Sequence, residues 1–91
     1  MNDEFIKILG KRGVVEILEN LDKKKEMKYK EIEKIVGNPS TTARRLADLE
    51  KLGIIKRKVS EEKYRPVYYS LTDKGRDLAS MVRELKEKYR C

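Results

Sequence analysis

"NPSTTARRLADLEKLGIIKRK", residues 38–58, decides the fold. It opens on Asn38-Pro39, a favoured helix cap followed by a residue whose fixed φ suits the first helical position. It ends its helical pattern at Gly53, a preferred C-cap, and turns into a β-branched basic run, Ile54 to Lys58. Helical spacing places Ala43, Leu46, Leu49 and Glu50 on one face, with Thr42 at its margin. Just upstream, "KYKEIEKIVG" (28–37) gathers Tyr29, Ile32, Ile35 and Val36 on one face and stops at Gly37. About two residues then separate two helices, and so short a link forces a sharp change of direction. That is helix-turn-helix geometry.

Working outward, "IIKRKVS" (54–60) has strand character, and "PVYYSLT" (66–72) alternates Val67, Tyr69 and Leu71 against Tyr68 and Ser70. The polar link "EEKYRP" (61–66) between them predicts a β-hairpin with a longish loop. Thr72 is placed to cap a last helix with Asp73 in its first turn. Leu78, Met81, Val82, Leu85 and Tyr89 form one apolar stripe along that helix. On the N-terminal side, Asp3 to Leu9 allows a helical turn or two with Phe5, Ile6 and Leu9 together. Gly10 and Gly13 interrupt it. Val14, Ile17, Leu18 and Leu21 then repeat at helical spacing up to a polar loop, "DKKKE" (22–26), whose lysines read as a solvated turn.

The predicted order is helix, helix, turn, helix, hairpin, helix: a winged helix-turn-helix, mainly α with a small β-hairpin (α+β). The expected division is a single domain over 1–91. The helix-turn-helix lies at about 29–52, the wing hairpin at about 54–72 and a C-terminal dimerisation helix at about 73–90.

Composition bounds the chemistry. Ninety-one residues leave room for one small core. A net charge of +7, with 43% of residues charged, predicts attraction to polyanions, DNA, RNA or anionic membrane alike. There is no histidine, and the single cysteine is Cys91, read as a free thiol. That removes the usual zinc sets, His-based nucleophile pairs and any internal disulfide, so neither an enzyme, a metal site nor a cofactor is expected. No apolar run approaches the ~18 residues that span a bilayer, and the start, "MNDEFIKILGKRG", does not read as a signal peptide. A cytoplasmic protein with no membrane partner is the expectation. Abundant Lys and Glu with no Gln point to a thermophilic source.

At about 100° per residue, Leu46 centres the buried side of the 39–52 helix. Thr41, Arg44, Asp48 and Lys51 then point outward, with Ser40 and Arg45 on the flanks. Ser40, Thr41, Arg44 and Arg45 are therefore the residues able to reach base edges or phosphates if this helix enters a major groove. Against that stands an ordinary surface ion pair between Arg44 and Asp48, four apart. Arg44 is read as the better base contact and Arg45 as a phosphate contact. Lys63 and Arg65 on the wing loop suit an adjacent minor groove. Lys56, Arg57 and Lys58 fit either DNA contact or a charged strand that blocks edge-to-edge association. Tyr64 and Tyr68 suit stacking or cross-strand packing.

The segments "LGKRGVVEILENL", "KYKEIEKIVG", "ARRLADLEKLGIIKR" and "PVYYSLTDKG" together resemble the small winged-helix transcription regulators, closest to the HxlR type and more loosely to the MarR and PadR types. The resemblance spans roughly residues 9 to 85. It rests most on Leu46, Leu49 and Gly53-Ile54-Ile55, and on Tyr69-Ser70-Leu71-Thr72 with Gly75. Arg12 stands where that family commonly has an aromatic, and the N-terminal cysteine of many HxlR-type proteins is absent. The resemblance implies a dimeric DNA-binding regulator. Phe5, Leu9, Leu78, Met81, Val82, Leu85 and Tyr89 would form the dimer face, setting two reading helices ~34 Å apart, one DNA turn. The expected function is a homodimeric, sequence-specific double-stranded DNA-binding regulator, read as a repressor. The alternatives are a winged-helix protein–protein interaction module and a non-specific nucleic-acid binder. A small-molecule effector is neither indicated nor excluded.

Overall fold

A computed structural model of the chain describes residues 3–89. Five helices and three short strands follow in the order α1 (Glu4–Leu9), α2 (Val14–Lys24), β1 (Met27–Lys28), α3 (Tyr29–Val36), α4 (Pro39–Lys51), β2 (Ile55–Val59), β3 (Val67–Leu71) and α5 (Asp73–Lys88). This is the winged helix-turn-helix arrangement. The start and end of the 1–91 span, and with them Cys91, lie outside the described residues.

The helix-turn-helix is set by local chemistry. Gly37 ends α3 at φ +87°, a left-handed conformation that costs glycine little. Asn38 follows in extended backbone and its side chain accepts the Thr41 N–H at 2.9 Å, with Pro39 at the first position of α4. The Tyr29 hydroxyl donates to the Pro39 carbonyl at 3.1 Å and ties the start of α3 to the start of α4.

The buried side of α4 runs through Thr42, Leu46 and Leu49, whereas Ala43 and Glu50 are exposed. This corrects the expected face by one residue. Thr42 can be fully buried because its hydroxyl donates to the Asn38 carbonyl at 2.8 Å, leaving only its methyl side to pack.

The sheet is also larger than a hairpin. β1 pairs antiparallel with β3, Met27 opposite Tyr69 and Lys28 opposite Tyr68, so the order is β1-β3-β2 and β3 is central. The β2–β3 ladder runs from Ile55 opposite Leu71 to Val59 opposite Val67. A two-residue strand carries no alternation to be read in sequence. It forms because α2 and α3 hold its ends against β3.

The core joins all these elements: Ile17, Leu18 and Leu21 of α2, Ile32 of α3, Leu49 of α4 and Ile54 are buried together with Met27, Tyr69 and Leu71 of the sheet. α5 enters through Thr72, whose hydroxyl oxygen accepts the Gly75 N–H at 3.0 Å. It packs Gly75, Ala79 and Val82 inward, lies along α2, and is fastened there by the ion pairs Arg83–Asp22 and Lys86–Glu19. Val82, expected on a dimer face, is thus a residue of the chain's own core. The apolar stripe of α5 is shared between two surfaces. One side faces α2, and the other stays uncovered.

Candidate nucleic-acid interface

The N-terminal half of α4 is capped by Asn38, and it presents Ser40 and Arg44 to solvent with Thr41 half-buried. Arg44 makes no hydrogen bond or ion pair among the described residues. The Arg44–Asp48 pair, the alternative to a base contact, does not form among the described residues. Arg45 takes its place, with Nη1 lying 3.4 Å from Asp48 Oδ2. Its Nε also donates to the Arg12 carbonyl at 3.3 Å, and its side chain is only 13% exposed. The reason is directional: Lys11 approaches the same Asp48 carboxylate at 3.8 Å, so Asp48 leans toward the α1–α2 connection, where Arg45 and not Arg44 can meet it. Lys51, one turn on, is exposed at the edge of a shallow surface hollow shared with Lys7 and Lys11.

The wing loop is closed by the Ser60 N–H to the Pro66 carbonyl and the Arg65 N–H to the Glu62 carbonyl, both at 2.9 Å. Arg65 sits at φ +45° with its side chain exposed, and the Lys63 ammonium lies 5.7 Å from the centre of the exposed Tyr64 ring. Tyr68 packs across strands instead, with the Lys28 ammonium 5.8 Å from its ring centre.

Alternation along β2 separates the strand cations. Lys56 pairs with Ser70 and borders Asp22, Lys25 and Arg76, near the end of α2 and the start of α5. Arg57 shares the opposite face with Tyr69. Burial pushes the Tyr69 phenol above its usual value of 10.0; the Arg57 guanidinium beside it pulls the other way, and Glu50 and Tyr29 add to the rise. Of the basic strand residues, Arg57 is therefore the one beside Tyr69. Counting in twos from buried Ile55 is the signal that separates it from Lys56.

A second surface is apolar. Phe5, Ile6 and Leu9 of α1 and Leu78, Met81 and Leu85 of α5 line an open groove of about 440 Å³. Ile6 is 74% exposed, Met81 60% and Leu85 54%, while Val82 lies at the groove's floor and Tyr89 is exposed just past the end of α5. Lys74 stands at its rim, its ammonium 5.2 Å from the centre of the Phe5 ring. Among the described residues no helix is long and apolar enough to cross a membrane, and no side-chain group suited to a metal ion occurs.

Comparison with known proteins bears on this architecture. The HxlR-like helix-turn-helix family model matches residues 8–90. The uncharacterized HTH-type transcriptional regulator YvaP of Bacillus subtilis (strain 168) is 36% identical over 87 residues, covering 93% of this chain and 80% of that protein. The reduced form of the transcriptional regulator YodB from B. subtilis superposes with a TM-score of 0.76 at 27% identity, over 93% of this chain and 87% of that one. A MarR-family regulator from Enterococcus faecalis V583 reaches a TM-score of 0.83 at 19% identity, over 92% of this chain and 77% of its own, a likeness of fold.

Proposed function

Since the chain belongs to the HxlR-like helix-turn-helix family, whose matched relatives are transcriptional regulators and not enzymes, we propose that it acts as a homodimeric, sequence-specific double-stranded DNA-binding regulator that represses by occluding its site. The observation that carries the reading is Arg44. It is an exposed guanidinium without an internal partner, on the outward side of a capped second helix, and free to bond guanine O6 and N7 in a major groove. Ser40 and Thr41 stand beside it for bases or phosphates, Lys51 for the backbone, and Lys63 and Arg65 for the flanking minor groove or backbone. Arg45 and Lys56 are left out of this contact set. The first is engaged internally, and the second lies on the sheet face away from Arg57 and Tyr69. The uncovered groove of α1 and α5 is assigned to the second protomer, which would bury Ile6, Met81 and Leu85 and bring two α4 helices onto one palindromic site.

Two measurements test this. Affinity for random duplex DNA, titrated over a salt series, is expected to fall steeply as salt rises, because each phosphate contact releases counterions. Absence of duplex binding at low salt would reject the reading in favour of a protein-interaction module. Selection from a random duplex pool is expected to return a palindromic consensus. Selected sites lacking two-fold symmetry would reject the dimeric mode, and no enrichment at all would leave a non-specific binder.

A further inference from the structure

Arg45 has the position of a DNA ligand and the surroundings of a structural brace. Its guanidinium is the most enclosed charged group on α4, with a side chain 13% exposed beside Asp48 at 35%. Its Nε reaches the backbone carbonyl of Arg12 across 33 residues of sequence, and Nη1 reaches Asp48 one turn along the same helix. Lys11 joins from the other side, 3.8 Å from the same carboxylate oxygen. Swinging Arg45 out to a phosphate would break both of its contacts and leave the Arg12 carbonyl and Asp48 without them.

We propose that Arg45 is a positioning residue: it locks α4 to the α1–α2 connection and thereby sets the angle at which Arg44 meets the bases, without touching DNA itself. The inference rests on the DNA-binding reading above. Its physical basis is the directed Nε–H bond to the Arg12 carbonyl, which crosses from α4 to the α1–α2 connection and opposes rotation of α4, while the Nη1 contact with Asp48 on the same helix fixes the plane of the guanidinium for that bond. Arg44 is the next residue in the chain, so any rotation there carries its guanidinium off the line that a bidentate base contact requires. The brace also lands on the segment from Gly10 to Gly13, directly after α1, whose Phe5, Ile6 and Leu9 form one wall of the apolar groove. The reading helix is therefore registered against the element that carries the proposed dimer face.

Two variants separate positioning from phosphate contact. Arg45→Lys keeps the charge but has one ammonium where two directed bonds are needed; Arg45→Gln removes the charge. Both are assayed well below their unfolding midpoints, against a selected site and random duplex. Arg45→Lys is expected to lower the ratio of selected-site to random affinity roughly tenfold, the scale of one misaligned base contact. In an Arg44→Ala background the same change is expected to have no further effect on that ratio, because the residue being aimed is gone. Arg45→Gln is expected to leave the salt slope on random duplex unchanged.

A slope reduced by about one, as for a lost phosphate contact, would overturn the proposal. So would an unaltered ratio in Arg45→Lys, or a loss that persists without Arg44. If the wild-type protein binds no duplex at all, the DNA reading itself fails and this inference with it. If the wild type binds and the Arg45 variants match it, only the inference fails.

Discussion

At Gly75 a methyl group has nowhere to go. A Cβ there would lie 2.0 Å from the Ile54 carbonyl oxygen, because the first turn of α5 crosses directly over the end of the α4–β2 connection. The obstacle is backbone, so a side chain cannot simply rotate aside. Gly75→Ala is expected to destabilise the protein by roughly 3 kcal/mol or more, the upper end of overpacking effects, read from chemical denaturation. A loss below about 1 kcal/mol would mean that α5 can lift from Ile54 at little cost. Tyr69 offers a second test at this scale. Its phenol is pushed above the ordinary value of 10.0 by burial. The folded state thus holds the proton more tightly than the unfolded chain, and the associated stability is present below pH ~10 and lost as pH rises through the folded value. The stability difference between wild type and Tyr69→Phe is expected to be flat at neutral pH and to shift in favour of the phenylalanine variant above about pH 10. A difference that stays constant through that range would contradict the burial argument.

Among the elements, α4 starts at Pro39, and its cap explains why. Asn38 satisfies the Thr41 N–H at 2.9 Å while Pro39 preorganises the first turn. Asn38→Ala is expected to lower stability by about 1 kcal/mol and, by fraying the turn that bears Ser40 and Thr41, to weaken duplex binding. An intact affinity would place those two residues outside the contact. Arg44→Ala is expected to cost about 1–3 kcal/mol at a selected site and far less on random duplex; equal losses on both would reduce Arg44 to a phosphate contact. The sheet was less legible. Its two longer strands follow from the alternation of Val67, Tyr69 and Leu71, but β1 is two residues long, and only its neighbours α2 and α3 bring it to β3. The one-residue error in the buried side of α4 has a similar origin: a threonine reads as polar until its hydroxyl is seen to be satisfied by the Asn38 carbonyl.

For the whole molecule, the question is what covers the groove between α1 and α5. Met81 and Leu85, 60% and 54% exposed, contribute little to the chain's own core. Leu85→Asp is therefore expected to leave the fold intact by circular dichroism while converting a dimer to a monomer in light scattering. A wild-type protein that is already monomeric at micromolar concentration would remove the dimer from the proposed function.

Much of this architecture follows from sequence because its signals are local. Asn38-Pro39, Gly37 and Gly53 punctuate the helices through backbone preferences that need no distant partner, and the repeats of Leu46–Leu49 and Val67–Leu71 define buried faces by period alone. The same periodicity set Arg44 apart from Arg45. Tertiary structure alone decided what each then does. Arg45 is held by Arg12, 33 residues away, and Val82 is buried while Met81 beside it is not. Lys56 and Arg57 fall on opposite sides of a sheet whose third strand comes from another part of the chain. A helical or strand period says which residues share a side, but not which side meets another element. That is fixed by packing between segments far apart in sequence, which local preferences do not encode.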